Sequence, residues 1–95
     1  MKILLTNTYA EEPLRILQRQ VPEGFRLVMP EKATKKDLLS KVDDADVLLV
    51  SGRVRIDEEV VQEAKKLNMV QRTGVGTDTL ALDALSRRKI PVYVN

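Results

Sequence analysis

Five short runs that read as strands, evenly spaced along 95 residues, constrain this chain more than any other feature. They lie at residues 2–6, 25–29, 46–51, 69–73 and 91–94, and successive runs start about 20 to 23 residues apart. That spacing fits one strand, one short helix and two tight loops. The third run is almost wholly apolar and the first nearly so. Strands of that kind are covered on both faces, as in a parallel sheet, whereas a strand with one wet face alternates. No sequence repeat underlies the period, so it is architectural.

The intervening segments carry helical signals. In the first, Pro13 sits near the start, where its missing N–H costs nothing. Leu14, Leu17 and Val21 recur at helical spacing with Ile16 beside them, and Pro22 and Gly24 stop the helix. The second begins at Thr34, with Asp37 three residues on as in a capping box, and its apolar stripe is Leu38, Leu39 and Val42. The third begins at Asp57 with Glu58 and Glu59 and ends near Lys65 and Lys66, acid first and base last as the helix dipole favours. Its inward residues are Val60, Val61 and Ala64. The fourth is expected to begin around Asp78 as an N-cap and to end in Arg87, Arg88 and Lys89, with Leu82 and Leu85 inward and Leu80 and Ala84 adjacent. Met29 and Met69 are expected in the core.

Alternation of strand and helix with right-handed crossovers predicts an α/β fold. The expected form is a flavodoxin-like open parallel five-stranded sheet, order 2-1-3-4-5, with helices on both faces. The sequence ends at Asn95, just after the fifth predicted strand. A domain of this type normally carries a helix there. The expectation is a sheet lacking its last helix, either as the front part of a longer protein or as a homo-oligomer through the uncovered face.

Composition then removes whole classes of function. Sixteen Lys and Arg against fourteen Asp and Glu leave a net charge of +2, too balanced to predict nucleic-acid binding. Without Cys or His there is no disulfide framework, thiolate zinc site, cysteine nucleophile or imidazole acid–base chemistry. No metal site is expected. No apolar run approaches the roughly 20 residues that span a bilayer, and the apolar N-terminal run is too short for a signal peptide. The expected location is cytoplasmic, with no membrane partner.

Ligands of open α/β sheets bind beyond the carboxyl ends of the strands. Of the loops expected there, the one with Gly74, Val75 and Gly76 is the best candidate. Two glycines two apart before a helix allow a sharp turn with outward N–H groups, a small site for a carboxylate or phosphate. The same glycines would also serve a plain strand-to-helix turn. They are not a dinucleotide fingerprint, because position 79 is Thr where that pattern needs Gly. Arg53 and Arg55, in the loop after the third strand, bring two cations to the same neighbourhood. A phosphoacceptor reading fails because Thr6-Asn7 and Ser51 stand where acids are required. A flavin reading lacks a glycine-rich first loop and aromatic residues, and no P-loop is present.

Residues 45–94 resemble the N-terminal half of the D-isomer-specific 2-hydroxyacid dehydrogenases. The most specific piece runs from Lys66 to Asp78 in the pattern K-L-x-x-V-x-R-x-G-V-G-x-D, followed by a helix and Ile90-Pro91-Val92. Thr79, Ala81 and Lys89 depart from the residues common in the family, Asn, Asp and Gly, and the family's Asn after the strand comes one residue late, as Asn95. The resemblance implies that residues 1–95 are a single substrate-binding domain. Gly74, Val75 and Gly76 would present amides to the carboxylate of a 2-hydroxy or 2-oxo acid, and Ser51, Gly52 and Arg53 would line the same cleft. The implied cofactor of the intact enzyme is NAD or NADP, held by a nucleotide-binding domain beyond Asn95, with none bound by this chain alone. The alternative is a non-catalytic interaction module pairing through its sheet face. The family's catalytic Arg, Glu and His also lie beyond Asn95 by this resemblance. The isolated chain is therefore expected to show no nicotinamide-dependent turnover of any 2-hydroxy or 2-oxo acid, and turnover proportional to its concentration would refute that.

Overall fold

The computed structural model describes residues 1–51, 54–73 and 80–94. Its strands are β1 (Lys2–Leu5), β2 (Arg26–Val28), β3 (Val47–Val50), β4 (Met69–Arg72) and β5 (Val92–Val94). They form one parallel sheet in the order β2-β1-β3-β4-β5, the expected topology. The helices are α1 (Glu11–Gln20), α2 (Lys35–Leu39), α3 (Glu58–Glu63) and α4 (Leu82–Arg87), with a 3-10 turn at Val42–Asp44. No helix among the described residues is long and apolar enough to cross a membrane.

Side chains alternate along each strand, so the sheet has two distinct faces. Leu4, Leu48, Val50 and Val70 point to one face and are wholly buried beneath Leu38, Val42, Val60, Val61 and Leu85. The helices α2, α3 and α4 therefore cover that face and hold the main core. Ile3, Leu27, Val47, Leu49 and Gln71 point the other way, toward Leu17 of α1 and Val21 just after it, and line a groove of about 520 Å³ with them. Leu14, Leu17 and Val21 are only half-buried, and Ile16 is 49% exposed, so α1 is held by a partial stripe. Met29 and Met69 are half-buried, not core as expected: Met69 pairs with Val47 on the α1 side of the sheet, and Met29, just past β2, meets the Tyr9 N–H of the first loop.

Caps follow the sequence closely at two helices. Thr34 caps α2 by accepting the Asp37 N–H at 3.3 Å. The Asp37 carboxylate reaches back further than a capping box would, to the N–H groups of Glu31 and Lys32 at 2.6 and 3.1 Å. Asp57 caps α3 by accepting the Val60 N–H at 3.1 Å. That helix stops at Glu63, short of Lys65 and Lys66. Positive charge at its C-terminal end comes instead from Arg88, which donates to the carbonyls of Val61 and Lys65.

The fourth helix departs most from expectation. Asp78 and Thr79 lie outside the described residues. Leu80 makes a parallel bridge with Ile56, and the Ala81 N–H donates to Ile56 at 2.7 Å. Those bonds hold the chain extended there, so α4 starts at Leu82. The later start turns Ala84 and Leu85 inward and leaves Leu82 44% exposed.

The helix ends in a Schellman motif. The Ile90 N–H reaches the Leu85 carbonyl and the Lys89 N–H reaches that of Ser86, both at 2.9 Å. Lys89 sits at φ 57°, the left-handed region that favours glycine. This is the position where the resembling family usually has Gly. A side chain there costs about 1–2 kcal/mol, offset by roughly 0.5–1 kcal/mol of extra unfolded-state freedom in glycine. Lys89→Gly is expected to stabilise the fold by about 0.5–1 kcal/mol. An unchanged or lower urea midpoint would contradict this reading.

Candidate functional site

The carboxyl edge of the sheet is built from the ends of β1, β3 and β4. Parallel pairing aligns these ends, and two threonines continue the ladder past them. Thr6, 1% exposed, follows β1. Its hydroxyl accepts the Ser51 N–H at 3.1 Å and donates to the Ser51 carbonyl at 3.2 Å. Thr73 follows β4, and its N–H and hydroxyl both donate to the Val50 carbonyl, at 2.9 and 3.2 Å. The exit of β3 is thus held from both sides. An orphan carbonyl and N–H just past a strand end would otherwise be costly to bury.

Tyr9 closes the edge from the first loop. Its N–H lies 3.2 Å from the Met29 sulfur, a weak acceptor, and its hydroxyl lies 2.5 Å from the Ser51 hydroxyl. Beside this, Asn7, Ala33, Lys35, Val54, Arg55 and Asp57 line a crevice of about 500 Å³. It sits at the carboxyl ends of β1 and β3, which are adjacent in space but not in sequence, the switch point where ligands of this architecture bind.

Charge in the crevice is arranged around Lys35. Its ammonium contacts Asp57 at 2.8 Å and Glu59 at 2.6 Å, joining the starts of α2 and α3. The hydrogen bond from Lys35 holds the Asp57 carboxyl below its ordinary value near 3.8, while the bonds to Asp57 and Glu59 raise Lys35 above 10.5. Asp57 divides its oxygens between two tasks, one capping α3 and the other binding Lys35. No cluster of metal-ligating side chains occurs among the described residues.

Of the residues singled out from sequence, Ser51 stands at this edge and Arg55 lines the crevice. Gly52, Arg53, Gly74, Val75 and Gly76 lie outside the described residues. The described chain leads to them at Ser51 and Thr73, the two residues that the threonine bonds hold at the strand ends. Sequence reasoning missed Tyr9, Thr6 and Lys35 as parts of the edge. A hydroxyl side chain at a predicted strand end was the available signal for Thr6, whereas Tyr9, a lone aromatic in a polar loop, carried none. Nothing in the local sequence of Lys35 marks its partners, which lie 22 and 24 positions away.

Comparison with known proteins adds the following. Residues 3–94 match the family model described as D-isomer specific 2-hydroxyacid dehydrogenase, catalytic domain. The chain is 34% identical over 92 residues to D-3-phosphoglycerate dehydrogenase of Methanocaldococcus jannaschii, covering 97% of this chain and 17% of that protein. It is 37% identical over 90 residues to the enzyme of the same name from Mycobacterium leprae, covering 95% of this chain and 16% of that one. The fold superposes on cofactor (NAD+)-bound 3-phosphoglycerate dehydrogenase of Entamoeba histolytica with a TM-score of 0.86 at 27% identity, over 99% of this chain and 32% of that one. The chain therefore spans about one sixth of the length of these curated relatives.

The electrostatics predict the acid and alkaline limits of the fold. Asp37, Asp44 and Asp57 are all held below 3.8, chiefly by hydrogen bonds from Lys41, Lys2 and Lys35. A carboxyl lowered by folding binds fewer protons than in the unfolded chain, so its contribution is complete above its ordinary value and is lost as pH falls through the lowered one. Lys35, raised, contributes fully below 10.5 and loses this as pH rises further. Stability followed by urea denaturation is expected to decline below about pH 4. Lys35→Met is expected to shallow that decline; an identical acid slope would contradict the assignment.

Proposed function

Because the chain belongs to the D-isomer-specific 2-hydroxyacid dehydrogenase family, we propose that it forms the substrate-binding side of such an enzyme. It holds the carboxylate of a small 2-hydroxy or 2-oxo acid beyond the carboxyl ends of β3 and β4. The observation that carries this reading is the bonding of Thr6 and Thr73 across the exit of β3. It gives the loops that follow Ser51 and Thr73 fixed points of departure. Those loops contain Arg53 and the amides of Gly74, Val75 and Gly76. Backbone amides and a guanidinium are suited to a carboxylate, and neither needs a proton transfer to act.

The chemistry assigned to this chain is positioning. A carboxylate fixed at one point leaves the adjoining C2 with little freedom to turn away from a hydride partner. The residues present do not fit a dinucleotide. The loop after β1 contains no glycine, and α1 opens with Glu11 and Glu12, which repel a pyrophosphate. The NAD or NADP of such an enzyme is accordingly assigned to a part outside this chain.

The test is an NMR titration of the 95-residue chain with D-lactate, pyruvate and 3-phospho-D-glycerate, with chloride as control. Saturable shifts centred on the amides of Gly74, Val75 and Gly76 are expected with the acids and not with chloride. Gly76→Val is expected to abolish them while the remaining spectrum is kept. If the acids produce no localised shifts, or the variant responds like the parent, the site assignment is wrong.

A further inference from the structure

The hydroxyls of Tyr9 and Ser51 meet at 2.5 Å, and either can be the donor. Two hydroxyls carry two protons, and the bond between them uses one. The remaining polar groups of Ser51 are already bonded, its N–H and its carbonyl both to the Thr6 hydroxyl. Among the described residues, neither the Tyr9 nor the Ser51 hydroxyl has another hydrogen-bond partner. One O–H is therefore left to donate outward, whichever way the shared bond runs.

Its position makes that proton useful. Tyr9 and Ser51 are half-buried, so the pair is shielded yet reachable. It stands where β1 and β3 end side by side, the switch point of the sheet. Thr6 and Met29 hold its two members from below and from the side. An O–H whose oxygen already accepts a hydrogen bond is polarised and donates more strongly. The complement of such a group is an anionic oxygen.

We propose that the Tyr9 and Ser51 hydroxyls act as one donor to a carboxylate oxygen of the bound acid, with Tyr9 a specificity-determining residue of the site. This rests on the reading that the edge takes a small 2-hydroxy or 2-oxo acid. It adds a direct contact from the first loop, which the glycine and arginine loops do not supply.

The experiment extends the titration to Tyr9→Phe, Ser51→Ala and the double variant, with lactamide as an uncharged counterpart of D-lactate. A hydrogen bond to a charged group is worth roughly tenfold or more in affinity. Tyr9→Phe is expected to weaken the acids about tenfold while changing lactamide binding far less. The double variant is expected to weaken them no further than the stronger single variant, because either substitution breaks the pair. General loosening of the edge would instead weaken acid and amide together, and that result overturns the proposal. Unchanged acid affinity in Tyr9→Phe also overturns it, while the carboxylate reading stands. If the parent chain binds none of the three acids, both fail. Should Tyr9→Phe not fold, the selectivity of Ser51→Ala for acid over amide decides, and unchanged selectivity is the negative result.

Discussion

Parallel pairing of β3 with β1 on one side and β4 on the other is the constraint on which the rest of this structure depends. It buries Leu48 and Val50 completely and aligns three strand ends on one edge. A parallel ladder leaves polar groups unpaired just beyond those ends, where burial makes them expensive. Thr6 and Thr73 satisfy them with side-chain hydroxyls. The same bonds hold the chain at Ser51 and Thr73, where the loops proposed to bind the acid begin. Stability and site geometry therefore share one set of contacts.

The opposite edge is held by charge. The Lys2 ammonium, little exposed, donates to the Lys41 carbonyl and to Asp44, while the Lys2 N–H is bound by Asp46. At the site edge Lys35 joins the starts of two helices through Asp57 and Glu59. The exposed pairs of Lys35 contribute little individually, but they span elements far apart in sequence. Their value lies in register and orientation. The crevice between the first three loops follows from that orientation, since Lys35 and Asp57 belong to its walls.

Much of the fold was legible in the sequence because β1 and β3 are nearly continuous apolar runs and α2 and α3 carry their own N-caps. Val47 to Val50 reads as a strand because nothing polar interrupts it, and Asp57 reads as a cap because two acids and an apolar stripe follow. The start of α4 was not legible. Leu80 has the spacing of a helical residue, but its bridge to Ile56 exists only after β3 and β4 are side by side. A contact across 24 positions outweighs a local preference there, and Leu82 is left facing outward as a result. Of the candidate site, the sequence marked loops at the carboxyl edge, and Ser51 and Arg55 are the members that lie among the described residues there. Tyr9 was not legible, because a lone aromatic in a polar loop carries no periodic signal.

By itself the sequence determined the order of elements, the parallel sheet, the N-caps of α2 and α3 and the absence of thiol and imidazole chemistry. Each depends on residue type or on spacing within a few positions. Tertiary structure alone decided that Tyr9 meets Ser51, that Lys35 meets Asp57 and Glu59, and that Arg88 caps α3 from the neighbouring helix. These contacts join residues 22 to 42 positions apart. Local preference cannot encode them, because such pairs meet only once the crossovers have brought the strand ends together.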